Sequence, residues 1–214
     1  MAKLLCLCLL SCLVFTTGCQ KAYYNTMEAF GYHKREMLVD RVQDSRDAQE
    51  QAKEQFKTAL EKFSEVVSFE GGELEKKYDQ LKSQLSRCED KADRVSNRIK
   101  EVETVADALF DEWLKELDQY TSDDLRRSSE DKMLETKQNY DRLIRAMRRA
   151  ESKMEPVLAA FRDQVLFLKH NLNAVAVASL QDELVDIEAD IATLIIEMEE
   201  SIAEADAFIS DMSG

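Results

Sequence analysis

Residues 74–113 read LEKKYDQLKSQLSRCEDKADRVSNRIKEVETVADALFDEW, and the spacing of their apolar residues decides the fold. These residues recur at steps that alternate between four and three positions. A repeat sustained over this length lies along one side of a helix and is typical of a coiled-coil seam. The stretch therefore predicts a long helix whose seam consists of Leu74, Tyr78, Leu81, Leu85, Cys88, Ala92, Val95, Ile99, Val102, Ala106, Leu109 and Trp113.

The same spacing continues on both sides of this stretch. It is found in residues 38–66, 140–161 and 184–198, and Ser45 and Gln49 are polar gaps in the first of these segments. Turns rely on glycine and proline, and the 214-residue chain has only five glycines and one proline. The chain is therefore predicted to be all-α.

Two polar segments interrupt the apolar repeat. Residues 68–73 contain Gly71 and Gly72 and are predicted to form a turn. Residues 121–129 are polar, and Ser122 or Asp123 can cap the helix that follows. These breaks predict helices at Asn25–Val67, at Glu73–Tyr120 and from Asp123 onward.

The charge distribution predicts that the chain folds back within the third of these helices. Residues 126–153 hold nine basic and five acidic residues, whereas residues 182–211 hold eleven acidic residues and no Lys or Arg. A turn near His170 brings these stretches side by side, as mirror images about a point close to residue 168. Exposed ion pairs add little stability, so this pattern selects which helices pair. Residues 25–214 are thus predicted to form an elongated antiparallel coiled-coil or four-helix bundle.

A second architecture is compatible with the same pattern. The third helix can run on to the C-terminus with a kink at Pro156, leaving half of its length exposed. Three long helices of this kind need a second chain to cover that face. The alternative prediction is therefore a homodimer, in the form of a curved coiled coil that shapes a membrane.

The N-terminus has the features of an export signal. Lys3 is followed by an uncharged, apolar run of about a dozen residues, which is too short for the ~20 residues of a membrane span. Small residues then precede Cys19, the position at which bacterial lipoproteins are acylated. We predict a lipoprotein signal peptide at residues 1–18 and a lipid anchor with a short tether at residues 19–24. Gln20 favours the outer membrane, so the chain is expected to face the periplasm.

The sequence lacks the motifs of the common catalytic and metal sites. It contains neither a P-loop nor a Rossmann glycine fingerprint, and His33 and His170 are its only histidines. Cys88 is the one cysteine after Cys19, and its place in the seam predicts a buried core residue. We expect no enzyme activity, no cofactor and no metal. The net charge of −14 disfavours nucleic acid as a partner.

Two groups of residues are candidates for contact with a protein partner in the envelope. The first is a basic cluster, for which pairing with the acidic last helix is the favoured interpretation and contact with an anionic headgroup or a cell-wall strand is the alternative. The second is the polar end of the predicted fold-back, where amides and an imidazole follow an apolar pair. These residues are Arg142, Arg145, Arg148 and Arg149 in the cluster, and Lys169, His170, Asn171 and Asn173 at the fold-back.

The chain also resembles a family of Gram-negative envelope lipoproteins, the domain of unknown function 2959, over essentially all of its length after the signal. The resemblance implies an envelope lipoprotein with a helical body and brings no activity or catalytic residues. We therefore expect a non-enzymatic role in scaffolding, spacing or partner binding. The resembling segments are Tyr23-Tyr24 with Glu28 and Gly31, residues 34–42, Gln55-Phe56 with Ala59-Leu60, residues 109–113, residues 154–158 and, most specifically, residues 166–174.

Overall fold

The computed structural model describes residues 33–68, 74–171 and 173–213. Within these ranges the chain forms four long α-helices and no strand. The helices are α1 (Lys34–Val67), α2 (Leu74–Leu117), α3 (Asp123–His170) and α4 (Ala174–Ser213). At a rise of 1.5 Å per residue they are roughly 50 to 70 Å long.

The four helices form an antiparallel bundle. Each helix packs against two neighbours, in the cyclic order α1, α2, α3, α4. Lys34 at the start of α1 pairs with Glu112 near the end of α2 at 3.0 Å. Arg46 of α1 pairs with Asp206 near the end of α4 at 2.8 Å. The cyclic order places α3 diagonally opposite to α1. Because each helix is antiparallel to its neighbours, α1 and α3 run in the same direction.

The apolar repeat forms the core of the bundle. Leu81, Val95 and Ile99 of the α2 seam are completely buried. Phe63 of α1 meets Phe161 of α3 edge to face, with ring centroids 6.0 Å apart. Burying this seam supplies most of the helical stability, because a single helix in water is only marginally stable.

The prediction of an all-α antiparallel four-helix bundle is confirmed, and so is the break near His170. The alternative of one continuous third helix is wrong, because α3 ends at His170 and a separate helix follows. Pro156 lies inside α3 and does not end it. Ser122 is the predicted N-cap of α3, and its hydroxyl accepts a hydrogen bond from the Leu125 N–H. The helix predicted to reach Tyr120 ends at Leu117.

Two expectations about position need comment. The pairing of α3 with α4 is centred at about residue 174 rather than 168, since Arg149 pairs with Glu197 and Glu200. The reason is that α3 stays helical through His170, so the turn follows this residue and the two helices pair about a point beyond it. The signal, the anchor, the tether and the first eight residues of the first predicted helix, which together are residues 1–32, lie outside the described residues, as do residues 69–73 of the predicted glycine turn.

Helices α3 and α4 are staggered along the bundle axis. Asn139 of α3 donates a hydrogen bond to Asp211 at the end of α4, at 2.7 Å. The first turns of α3, from Asp123 to about residue 136, therefore extend roughly 20 Å past the end of α4. The bundle thus has one end where the α2–α3 hairpin projects, and the opposite end carries the α3–α4 turn.

Candidate functional site

The α3–α4 turn brings together the second group of predicted contact residues. Lys169 and His170 are exposed in the last turn of α3. The Asn171 side-chain amide donates to the Phe167 carbonyl at 3.0 Å, and the Asn173 carbonyl accepts from the Val177 N–H at 3.2 Å. The first bond satisfies a carbonyl at the end of α3 and accounts for the Asn171 amide, whereas the second is made by the Asn173 backbone at the start of α4.

Apolar side chains beside this turn are open to solvent. Leu166 is 58% exposed and Phe167 is 39% exposed. Next to the cationic Lys169, they make this end of the bundle amphipathic. The turn therefore remains a predicted contact region, at the end opposite to the start of α1.

The structure does not bring the four arginines of the basic cluster to one surface. Arg149 reaches α4, where it pairs with Glu197 at 3.2 Å and Glu200 at 3.0 Å. Arg142 faces the same helix, 3.9 Å from Glu204. These contacts match the pairing between the basic stretch and the acidic last helix.

The other two arginines of the cluster make no ion pair with α4 within the described residues. Arg148 pairs with Glu103 of α2 and with Glu151 of its own helix. Arg145 is exposed, and no ion pair within the described residues reaches it. The expectation that the whole cluster pairs with α4 is wrong for Arg148, because it neighbours Arg149 and adjacent side chains on a helix diverge by 100°. Arg145 lies on the same side of α3 as Arg142 and Arg149, since residues three or four apart share a side.

Ion pairing also changes the acid–base properties of these arginines. The pKa of Arg149 is raised by its hydrogen bonds to Glu197 and Glu200. The pKa of Arg148 is raised mainly by its hydrogen bond to Glu103. Both side chains stay charged at any physiological pH and serve to hold α3 against its two neighbours.

A cleft of about 700 Å³ lies at the end of the bundle where α1 begins. It is lined by residues at the start of α1, including His33, and by one side of α2, including Leu109 and Trp113. The Trp113 indole N–H donates to the Ser129 hydroxyl at 2.8 Å, which ties α2 to α3 beside the cleft. The cleft has both apolar and charged walls and adjoins the start of α1.

A second groove, of about 470 Å³, runs between α2 and α3 and is mostly acidic. Arg162 lies across it and pairs with Glu89 and Glu155, both at 2.7 Å. These two carboxylates raise the pKa of Arg162 through hydrogen bonds. The groove is an ion-pair network that links the two helices.

Two buried groups that titrate in free solution are held neutral. Cys88 is completely buried, and burial raises the pKa of its thiol from 9.0 to about 12. Burial also raises the pKa of Tyr140, helped by the nearby carboxylates of Asp107 and Glu103. Cys88 is therefore the core residue that its seam position predicts, and its thiol is unreactive at neutral pH.

Sequence reasoning missed the solvent-facing side of α4. Val185 is 64% exposed and Ile196 is 59% exposed, and the exposed Ala189 and Ala192 lie between them on the same face. A signal for this face exists in the sequence, because these residues follow the four–three spacing in a register of their own beside the buried seam. The buried seam is the stronger of the two patterns. It is enough to predict which side of α4 faces the core, so the weaker apolar pattern on the outer side was overlooked.

Two absences hold for the part of the chain that the structure describes. No helix there contains an apolar stretch of the length and hydropathy needed to cross a bilayer. No group of three or more His, Cys, Asp or Glu side chains among the described residues is placed to hold a metal ion.

Comparison with known proteins places the chain in a family. No curated protein and no solved structure matches it. One family model, that of the protein of unknown function DUF2959, matches residues 23–212, which is nearly the whole chain. The match includes all four helices of the bundle, and the chain therefore belongs to the DUF2959 family.

Proposed function

We propose that this protein is a lipid-anchored protein of the bacterial envelope with a non-enzymatic role, in which it spaces or scaffolds a protein partner. The observation that carries the proposal is the order of parts along the chain. A lipoprotein-like signal that ends at Cys19 precedes a chain built of four long antiparallel helices. Such an order suits a rigid body that is held at a membrane by one end.

The geometry of the bundle supports a spacing role. His33 at the start of α1 and the α2–α3 turn belong to one end, and the α3–α4 turn belongs to the other. The 48-residue α3 spans roughly 70 Å between these ends. With an acylated Cys19 inserted in the periplasmic leaflet of the outer membrane, the α3–α4 turn is carried well away from the bilayer.

The charge of the chain supports a protein partner over a lipid or nucleic acid surface. A net charge of −14 repels phosphate-rich surfaces, and Arg148 and Arg149 of α3 are engaged in ion pairs. Attachment to the membrane then relies on acyl chains, and two or more of these give stable anchoring.

Intact-mass spectrometry of the protein extracted from bacterial membranes tests the anchor. We expect the mass of residues 19–214 plus covalent acyl chains, and a Cys19→Ala variant that is unacylated and leaves the outer-membrane fraction. A Cys12→Ala variant is the matched control, because it removes a cysteine of the signal and should leave acylation intact. An unacylated wild-type protein would refute the anchor.

Sedimentation of the acylated protein at several concentrations tests the scaffold role against the membrane-shaping dimer. The scaffold predicts an elongated monomer in the absence of a partner. A stable homodimer that bends vesicles would favour the alternative instead.

A further inference from the structure

The outer face of α4 carries an apolar stripe that the bundle leaves uncovered. Val185, Ala189, Ala192 and Ile196 are all exposed and follow one another at steps of four, three and four residues. The next position of this spacing is Glu199, and beyond it the exposed Ala203 and Ala207 place small apolar side chains on the same face, so that the face spans about 33 Å from Val185. This is the geometry of one half of a coiled-coil seam.

The stripe distinguishes α4 from the helix at the opposite corner of the bundle. The exposed face of α2 presents Asp79, Asp90, Asp93, Asn97 and Lys100, as expected for a helix side in water. A helix with apolar residues on both its core side and its outer side is normally covered on both. α4 therefore has the pattern of a helix with one more neighbour than the bundle provides.

The residues that flank the stripe carry one sign of charge. α4 contains no Lys or Arg. Asp186, Glu188 and Asp190 are exposed, and none of the ion pairs found within the described residues involves them. Further along, Glu199 and Glu200 lie between Ile196 and Ala203 and pair with Lys53 of α1 and Arg149 of α3. The rims of the stripe are thus acidic, and their N-terminal half is not neutralised by the described part of the bundle.

From these observations we propose that the outer face of α4 is a docking surface for a basic amphipathic helix of another protein. The apolar side of the partner helix covers the stripe, and Lys or Arg at its edges pair with the acidic rims. A second copy of α4 does not fit, because it would place acidic rims against acidic rims. The proposal rests on the partner-binding role above and gives that partner a chemical character.

The first experiment measures binding of a designed probe to the full acylated chain in phosphatidylcholine nanodiscs. The probe is a fluorescent amphipathic helix of four heptads, with Ile and Leu on the seam and Lys at both edges. We expect saturable binding by fluorescence anisotropy above that of empty nanodiscs. A probe with the same seam and Glu at its edges should bind at least tenfold more weakly.

Variants of the protein locate the binding face. Val185→Lys with Ile196→Lys should weaken probe binding at least tenfold, and Val185→Gln with Ile196→Gln should weaken it about fivefold without a change of charge. The charge-matched control is Ser86→Lys with Asn97→Lys on the outer face of α2, which should stay within twofold of wild type. Equal losses in the control and α4 variants would overturn the proposal, because binding would then depend on net charge alone.

A crosslinking experiment in cells tests the natural occupant. A photoreactive amino acid at position 196 should give a crosslink to a different protein through a basic segment, and the same residue at position 97 should not. A crosslink between two copies of this chain, or none at position 196, would overturn the proposal. Acylation of Cys19 is measured on the same samples, so failure of the docking surface and failure of the anchor are told apart.

Discussion

Helices α2 and α4 lie at opposite corners of the bundle and follow the same rule on their inner sides. Ile99 in α2 and Ile191 in α4 are both completely buried in seams of four–three spacing. On their outer sides they differ, since α2 presents charges of both signs and α4 presents an apolar stripe between acidic rims. The inner seam decides how a helix packs, whereas the outer face is free to vary.

In a bundle of this kind, the outer faces of the helices are where a binding surface can be found. A mixed-charge outer face is what solubility requires and needs no further explanation. An apolar outer face exposes surface that water disfavours, so its presence indicates cover by something outside the bundle. Five predictions test this comparison, in order of decreasing expected effect.

The largest effect is expected from truncating the two inner seams. Ile99→Ala and Ile191→Ala should each lower the free energy of unfolding by about 2–5 kcal/mol, since each leaves a cavity in a packed core. Urea unfolding followed by circular dichroism measures both. A loss below about 1 kcal/mol at either site would show that its seam is not packed as described.

Charge reversal of the basic cluster is expected to come next. Replacing its four arginines by Glu should lower the free energy of unfolding by about 2 kcal/mol at low salt, because two of them face the acids of α4. Added salt should reduce the loss. The variant carries Arg142→Glu, Arg145→Glu, Arg148→Glu and Arg149→Glu.

The matched control reverses four basic residues earlier in α3, before the first contact with α4 at Asn139. It carries the same change of charge and should cost clearly less. An unchanged melting temperature in the cluster variant would contradict the pairing of α3 with α4. The control variant carries Arg126→Glu, Arg127→Glu, Lys132→Glu and Lys137→Glu.

Alkaline pH should distinguish the two seams, because the buried part of α2 contains a thiol, whereas the residues of α4 described as buried include no ionisable side chain. The Cys88 thiol of the unfolded chain ionises near the ordinary thiol pKa of 9.0, while burial keeps the folded thiol neutral up to about 12. The unfolded state therefore loses its proton first, and the stability present below pH 9 is lost as the pH rises toward 12. At pH 10 the wild type should have lost about 1.4 kcal/mol more than Cys88→Ala, relative to pH 7.

Denaturant unfolding of both proteins at several pH values measures this difference. The comparison cancels the effect of Tyr140, whose pKa is also raised by burial. Parallel pH profiles for the two proteins would mean that the folded thiol ionises as readily as the unfolded one.

A smaller gain is expected from removing a polar group from the α4 seam. Ser201 is completely buried, and its hydroxyl oxygen has no hydrogen-bond partner among the described residues. Ser201→Ala should raise the free energy of unfolding by about 1 kcal/mol more than Ser86→Ala on the exposed face of α2. The control removes the contribution of helix propensity, which is common to both substitutions. A loss of stability at Ser201 would show that its hydroxyl is satisfied, for instance by a buried water.

The smallest effect on stability is expected at the outer face of α4. Val185→Lys with Ile196→Lys should change the free energy of unfolding by no more than about 0.5 kcal/mol, because these side chains contact little of the bundle. Thermal melts by circular dichroism measure this. A larger loss of unfolding free energy would mean that the stripe is part of the core and would contradict its assignment as a docking surface.

The fold could be predicted from the sequence because its determinants are periodic and local. The α2 seam, the Ser122 cap and the turn after His170 all follow from residue spacing and capping chemistry. The partner of Arg148 could not be predicted, since it depends on which neighbour lies at that angle around α3. Gln49 is another such case. This polar gap in the α1 seam is completely buried, and its side chain has no hydrogen-bond partner within the described ranges, a state that only packing reveals.

Residue spacing and charge along the chain were enough to predict the long helices, the three breaks that separate them and the pairing of a basic stretch with an acidic one. Each of these features depends on the order and spacing of residues along the chain, which can be read without knowing how the helices pack. The packed bundle was needed to show that no fifth helix covers the outer face of α4 within the described residues, and which acids Arg148 and Arg149 reach. Those facts depend on the rotation and stagger of helices about one another, and these are set by the packing of all four seams at once.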